Sequence, residues 1–168
     1  FEWFKRHRLL GKRFYFAHCI HLNEEEIAQM AETGTGVAHC PISNMLLSSG
    51  ACPVPSYLEH GLTRIGLGVE GAASSNSSNM LEEIRCAYLL NRLTWGDKAA
   101  TPDDYLYMAT AGGAKVLGRD DIGYLAPGMA ADFAQMDWNQ LTYAGGCYDP
   151  VACIVESGDP RLVKNVVV

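Results

Sequence analysis

The chain has 168 residues, of which 48% are hydrophobic and 19% are charged. This balance is typical of one globular domain with a buried core and excludes a disordered or collagen-like chain. No apolar run approaches the roughly 20 residues that a membrane-spanning helix needs, so we expect no membrane span. The net charge is −6, and because the first 13 residues carry a net positive charge, the rest of the chain is still more acidic, which argues against general nucleic-acid binding.

Six cysteines lie at positions 19, 40, 52, 86, 147 and 153. They form no Cys-x-x-Cys pair, and we read no secretory leader before them. We therefore expect reduced thiols in a cytoplasmic protein. Both ends look cut, because the chain starts at Phe1 rather than Met and ends in the apolar run Val166–Val168.

The basic stretch Phe1–Phe14 has two interpretations. It could be a helix that binds a membrane surface or a phosphate, or it could be the solvated side of an amphipathic helix whose Phe1, Phe4 and Leu9 or Leu10 pack inward. We favour the second, since a run of charges is usually a solvated face.

Strands and helices then alternate at regular spacing. Three short apolar runs predict strands: Phe14–Ala17, Gly36–Ala38 and Thr63–Val69. A helix is expected after each strand: one starting at Asn23, one near Ser56–His60 and a long one starting at Asn79. Two of these starts have the capping-box spacing, with a glutamate three residues after the asparagine. The proline-rich segment between residues 41 and 55 is expected to be a loop.

The second half of the chain contains a further set of predicted elements. Thr101 is a strong helix start, because a proline and two acidic residues follow it, and this helix is expected to stop at Gly112–Gly113. The remaining predicted elements are a short helix ending near Gly118, a strand within Ala131–Met136, a helix around Val151–Val155 and a final strand over Leu162–Val168.

Each of the first three strands ends at a titratable residue: His18, His39 and Glu70. Carboxyl ends of parallel strands share one edge and lie about 4.8 Å from their neighbours, so these side chains can converge there. Imidazole and carboxylate together suit zinc or iron. A single histidine after a strand is more often a structural residue, and a catalytic zinc usually has three protein ligands, so the sequence predicts a half-present site.

Three strand-end motifs carry a family resemblance: Phe16-Ala-His-Cys-Ile-His-Leu22, Ala38-His-Cys-Pro-Ile-Ser-Asn44 and Gly66-Leu-Gly-Val-Glu-Gly-Ala-Ala-Ser-Ser-Asn76. They resemble the amidohydrolase superfamily, in the branch that contains 8-oxoguanine deaminase, guanine deaminase and triazine hydrolases. Three later segments are similar to the carboxyl-terminal half of that branch: Ala109–Ala114, Asp121–Asp132 and Asp149–Ala152.

The resemblance implies an α/β fold that is part of a (β/α)8 TIM-type barrel. Residues 1–122 would hold barrel strands six to eight with their helices, and residues 123–168 would hold part of a small β-sandwich. The first five strands carry a His-x-His pair, a further histidine and a glutamate in this family, and none of these is in the sequence. One Zn²⁺ or Fe²⁺ per complete site is implied, and its ligand set would be incomplete in this chain.

The resemblance also implies roles for single residues. His18 matches the strand-six histidine that lies beside the metal and polarises the attacking water or the substrate. Glu70 lies where the family has an aspartate that binds the metal and acts as a general base. His39, Ser43 and Asn44 would line the substrate pocket. The implied reaction is the hydrolytic deamination of a small aminated heterocycle, most closely 8-oxoguanine to urate and ammonia, with guanine and triazines as alternatives.

Glu70 departs from the family pattern, and this leaves two outcomes open. One extra methylene moves a carboxylate by about 1 Å, which would weaken metal binding or turnover unless the strand end shifts to compensate. The competing class is a non-catalytic half-barrel or pseudo-enzyme that acts through association. Open strand edges near Phe14–Ala17 and Ile65–Val69 would favour a homo-oligomer or pairing with a missing amino-terminal half.

Overall fold

Eight α-helices and five β-strands form the regular structure in the computed structural model, which describes residues 1–168. The helices are α1 (Glu2–Arg6), α2 (Glu24–Thr33), α3 (Pro41–Leu46), α4 (Val54–Glu59), α5 (Met80–Trp95), α6 (Pro102–Tyr107), α7 (Gly113–Leu117) and α8 (Pro150–Ser157). The strands are β1 (Tyr15–Ala17), β2 (Gly36–His39), β3 (Ile65–Leu67), β4 (Phe133–Met136) and β5 (Val163–Val167). Strands and helices alternate from β1 to α5, which confirms the predicted α/β class.

The first three strands form one parallel sheet in the order β1-β2-β3. Phe16 pairs with Val37, which pairs with Ile65, so these three residues lie in one row across the sheet. Because the strands are parallel and in register, all three carboxyl ends reach the same edge. This is the edge at which the sequence predicts the site.

The two faces of this sheet differ in burial. Val37 and Ile65 are fully buried in the main core, and Phe16 packs against the same core. Tyr15 and Ala17 are exposed on the opposite face of β1. Successive residues of a strand point to opposite faces, so β1 has one face on the core and one face exposed, whereas every residue of β3 is buried.

The predicted helix starts are confirmed by their hydrogen bonds. The Asn23 side chain accepts from the Glu26 N–H at 2.9 Å, and the Glu26 carboxylate accepts from the Asn23 N–H at 3.0 Å, which completes a capping box. Asn79 caps α5 by accepting from two backbone N–H groups, one of them that of Glu82. The Glu82 carboxylate accepts instead from the Ser77 hydroxyl at 2.6 Å, so this second box is half formed.

Two helical segments differ from the sequence prediction. Helix α3 lies in the segment expected to be a loop, and it begins at Pro41, a position where proline suits a helix because its missing N–H needs no partner. The helix from Pro102 does not stop at Gly112–Gly113 but continues through a π-helical turn, Met108–Gly112, into α7. A Cβ on Gly66 would lie 2.8 Å from the Gly113 Cα, so glycine serves close helix-to-strand packing here.

The amino-terminal helix is shorter than predicted. Helix α1 ends at Arg6, it contains no buried residue, and the rest of Phe1–Phe14 is not helical. The Phe4 ring nevertheless packs against the Phe16 ring with centroids 4.7 Å apart. Phe4 therefore contacts Phe16 but stays 36% exposed, so the inward packing expected for Phe4 is only partly present.

The carboxyl-terminal segment contains a second, antiparallel sheet formed by β4 and β5. Helix α8, which lies between these strands in sequence, packs against α5 and α6. The division at residues 122 and 123 remains a prediction. None of the helices has both the length and the apolar composition needed to cross a membrane.

Candidate metal centre

The chain makes a tight turn directly after β1. The His18 N–H donates to the Ala38 carbonyl at 2.9 Å, which continues the ladder with β2, and the Cys19 N–H donates to the Ala17 carbonyl at 2.8 Å. His18 and Cys19 both have left-handed backbone conformations, with φ of 66° and 49°. The buried Tyr57 of α4 donates its hydroxyl hydrogen to the Cys19 carbonyl and so supports this turn.

His18 and Glu70 meet at the edge of the sheet. The Gly68 N–H donates to the His39 carbonyl at 2.8 Å, so β3 stays paired with β2 until just before Glu70. The distance between His18 Nε2 and Glu70 Oε1 is 3.4 Å, and both side chains are partly exposed. The ends of the first and third strands therefore place an imidazole and a carboxylate side by side above the middle strand.

Asn44 of α3 fixes the other side of the His18 ring. Its Oδ1 atom lies 2.8 Å from His18 Nδ1, and its side chain is buried. Donation from Nδ1–H to this oxygen favours the tautomer whose Nε2 lone pair is directed away from Asn44. That nitrogen is the one beside Glu70, so the arrangement leaves it available as a ligand or a hydrogen-bond acceptor.

Cys40 joins this pair and was not among the predicted site residues. Three ligand atoms, one each from His18, Cys40 and Glu70, lie within 4.8 Å of one another. Burial raises the pKa of the Cys40 thiol to about 12, with a further contribution from the neighbouring Glu70, so the thiol is protonated at neutral pH. The alternation of strand residues could have indicated Cys40. It places residues 38 and 40 on the face opposite residue 39, so His39 and Cys40 are not expected to reach the same site.

His39 and Ser43 are both buried, and His39 is not one of the residues whose ligand atoms cluster with those of His18 and Glu70. His39 is 2% exposed and lies on the same face of β2 as the buried Val37. Burial, with a smaller contribution from the charge of His18, lowers the pKa of His39 to about 4, so the ring is neutral at pH 7. His39 Nδ1, Ser43 Oγ and Asn44 Nδ2 are buried without a hydrogen-bond partner. Their expected place in a substrate pocket remains a prediction.

The donor set fits a zinc ion. Zinc is held at about 2.0–2.2 Å by imidazole nitrogen and carboxylate oxygen, and in a tetrahedron this places neighbouring ligand atoms about 3.4 Å apart. The distance from His18 Nε2 to Glu70 Oε1 matches that spacing. Two such donors are fewer than the three protein ligands that are usual in a catalytic zinc site.

Comparison with known proteins identifies the family. The Amidohydrolase family model matches residues 1–168. The 8-oxoguanine deaminase of Pseudomonas aeruginosa is 48% identical over 146 residues, which are 87% of this chain and 32% of that protein. The 5-methylthioadenosine/S-adenosylhomocysteine deaminase of Pelotomaculum thermopropionicum is 43% identical over 153 residues, covering 90% of this chain and 35% of that protein.

A solved structure agrees with these relatives. Zinc-complexed atrazine chlorohydrolase TrzN from Arthrobacter aurescens TC1 matches with a TM-score of 0.93 at 31% identity, covering 99% of this chain and 37% of that one. The chain thus spans about a third of the length of the curated relatives it matches. The zinc in this neighbour supports a divalent metal in the family. The resemblance drawn from the strand-end motifs is confirmed, and the chain belongs to the amidohydrolase family.

Proposed function

We propose that this chain supplies the carboxyl-terminal part of the active site of a metal-dependent aminohydrolase. The reaction is the hydrolytic deamination of an aminated, purine-like heterocycle, with 8-oxoguanine as the first candidate substrate. In this proposal β1, β2 and β3 are strands six to eight of a (β/α)8 barrel formed by residues 1–122, and residues 123–168 belong to a small β-sandwich.

One observation carries the proposal, namely the 3.4 Å approach of His18 Nε2 to Glu70 Oε1 at one edge of a parallel sheet. Active sites of parallel α/β folds lie at this edge, where side chains from separate strands converge. The extra methylene of Glu70 does not carry its carboxylate away from His18. We therefore assign Glu70 the place of the family aspartate.

Each residue has a distinct task. A divalent cation held by His18 and Glu70 would lower the pKa of a bound water and polarise the group under attack. Glu70 offers an oxygen ligand and accepts a proton from the nucleophilic water as the general base. His18, with its Nδ1 proton engaged by Asn44, directs Nε2 at the reaction centre to polarise the water or the substrate. Release of ammonia needs the proton to return to the leaving nitrogen, and Glu70 is placed to deliver it.

The relatives support the reaction class more strongly than the substrate. The names of both curated relatives are those of deaminases, but one acts on 8-oxoguanine and the other on 5-methylthioadenosine or S-adenosylhomocysteine. The higher identity of the first, 48%, favours 8-oxoguanine as the substrate to test before others.

The test is ammonia release by the zinc-loaded product of the complete reading frame that contains this chain. Candidate substrates are 8-oxoguanine, guanine and S-adenosylhomocysteine. We expect His18→Gln and Glu70→Gln to lower kcat by about 10²–10⁴-fold, the usual contribution of a general acid or base. His60→Gln is the matched control, because His60 ends α4 and its ring contacts the Ser56 carbonyl.

The outcomes separate the two classes of protein. Equal rates in the parent and in the His18 and Glu70 variants would refute these roles, and no ammonia from any substrate would favour the non-catalytic, associating protein.

A Glu70→Asp variant adds one comparison. Faster turnover in this variant would show that the longer side chain limits the reaction, whereas no gain would show that glutamate is already competent.

A further inference from the structure

We propose that Glu83 is a positioning residue that holds the start of α3 beside the loop that follows Glu70 and thereby keeps Asn44 against the His18 ring. The consequence for catalysis rests on the proposed function, whereas the positioning of Asn44 and His18 by Glu83 does not. Glu83 lies on α5, and no motif in the sequence had singled it out.

The carboxylate of Glu83 joins two separate segments. Its Oε2 atom accepts from the backbone N–H of Ile42 at 3.1 Å, and its Oε1 atom lies 3.4 Å from the Ser75 hydroxyl, which it shares as an acceptor with the Ser77 carbonyl at 3.1 Å. Ile42 is the second residue of α3, and Ser75 lies in the loop that leads from Glu70 to α5. One buried side chain therefore fixes the start of α3 relative to the loop that begins at Glu70.

A buried glutamate is unusual at a contact whose only role is to hold two segments together. Glu83 is 0% exposed, yet it takes part in none of the ion pairs of the structure. Burial raises the pKa of its carboxyl, the charges of Glu82 and Glu70 raise it further, and the Ile42 and Ser75 hydrogen bonds lower it. A buried carboxylate without a cation is costly, whereas an apolar side chain would pack there at lower cost. What the carboxylate adds is direction, because two acceptor oxygens set the positions of two donors.

The consequence reaches the site through α3. Asn44 follows Ile42 by two residues in the same short helix, so a fixed helix start fixes where Asn44 Oδ1 lies. That oxygen is the 2.8 Å partner of His18 Nδ1, and His18 Nε2 is the 3.4 Å neighbour of Glu70. The order of dependence is therefore Glu83, the start of α3, Asn44 and then His18.

The experiment measures this dependence directly by NMR on the 168-residue chain labelled with ¹⁵N-histidine and amide ¹⁵N. The ring ¹⁵N shifts of His18 report its tautomer, and hydrogen exchange reports the Ile42 amide. Glu83→Ala should turn the single Nδ1–H tautomer into a mixture and speed Ile42 exchange by about tenfold, the effect of leaving a backbone donor without its hydrogen-bond partner. Glu83→Gln keeps an acceptor for Ile42, so its His18 ring shifts and Ile42 exchange rate should match those of the parent chain.

Glu25→Ala is the matched control, because Glu25 is an exposed glutamate of another helix, α2. Wild-type tautomer and exchange in a folded Glu83→Ala chain would overturn the proposal, as would equal changes in the Glu25 variant. If Glu83→Ala does not fold, Ser75→Ala removes one of the two donors, and unchanged His18 and Ile42 signals there would overturn it equally. If the signals shift as expected but the complete protein releases no ammonia, this proposal is upheld and the proposed function is refuted.

Discussion

His39 should make the free energy of unfolding fall as the pH is lowered from 7 to 4. Its ring is 2% exposed and its Nδ1 atom has no hydrogen-bond partner. Burial, with a smaller contribution from the charge of His18, lowers its pKa from 6.5 to about 4. Between these two pH values the unfolded chain binds a proton that the folded chain does not, so acid favours unfolding.

The size of the effect follows from the two pKa values of His39, 6.5 in the unfolded chain and about 4 in the folded one. Linkage gives a loss of about 2 kcal/mol by pH 5 and about 3 kcal/mol by pH 4. Below pH 4 the contribution levels off, because both states then carry the proton. Above pH 7 neither state is protonated at this residue and the contribution is constant.

Urea unfolding followed by circular dichroism at pH 7.5, 6, 5 and 4 measures this loss. Carboxylates titrate in the same range, so the informative quantity is the difference between the parent and a His39→Leu variant at each pH. We expect this difference to shift by about 3 kcal/mol in favour of the variant between pH 7.5 and pH 4. Parallel curves for the two proteins would refute the reasoning, whatever their offset at pH 7.5.

Two further predictions concern packing and the metal centre. Gly66→Ala places a Cβ 2.8 Å from the Gly113 Cα, backbone against backbone, so we expect a loss of about 1–3 kcal/mol in thermal unfolding, and an unchanged Tm would contradict the close packing. Asn44→Leu removes the acceptor of His18 Nδ1 and should weaken zinc binding about 10–100-fold by calorimetry, the usual effect of losing such a supporting bond. Undiminished affinity would show that His18 is oriented without Asn44.

The strand ends and helix caps could be predicted from the sequence because their signals are local. Asn23 and Thr101 each have their capping partner three residues away, and both boxes are formed. Similarly, an apolar run followed by His18 or by Glu70 contains the strand and its terminal side chain together. Parallel pairing then brings the ends of separate strands, and their terminal side chains, to one edge of the sheet.

The surroundings of the site could not be predicted because they depend on packing between distant segments. His18 and His39 both follow a short apolar strand, yet one lies at the open edge and the other in the core. Asn44 meets His18 across 26 residues, and Glu83 meets Ile42 across 41. Gly112–Gly113 has the pattern of a helix stop but is a contact surface, since only packing against β3 shows why glycine stands there.

The left-handed backbone conformations of the two residues after β1 support the site but lower the stability of the fold. His18 and Cys19 hold backbone conformations that cost non-glycine residues about 1–2 kcal/mol each. Glycine would relieve that cost at either position, but at 18 it would delete the imidazole and at 19 it would loosen the turn that aims it. Selection for thermal stability alone would therefore not protect this turn any more than it would protect the left-handed residues Arg8 and Ser48. Laboratory evolution for heat tolerance should screen catalysis alongside survival, because substitutions that relieve the strain in this turn would also disturb the site.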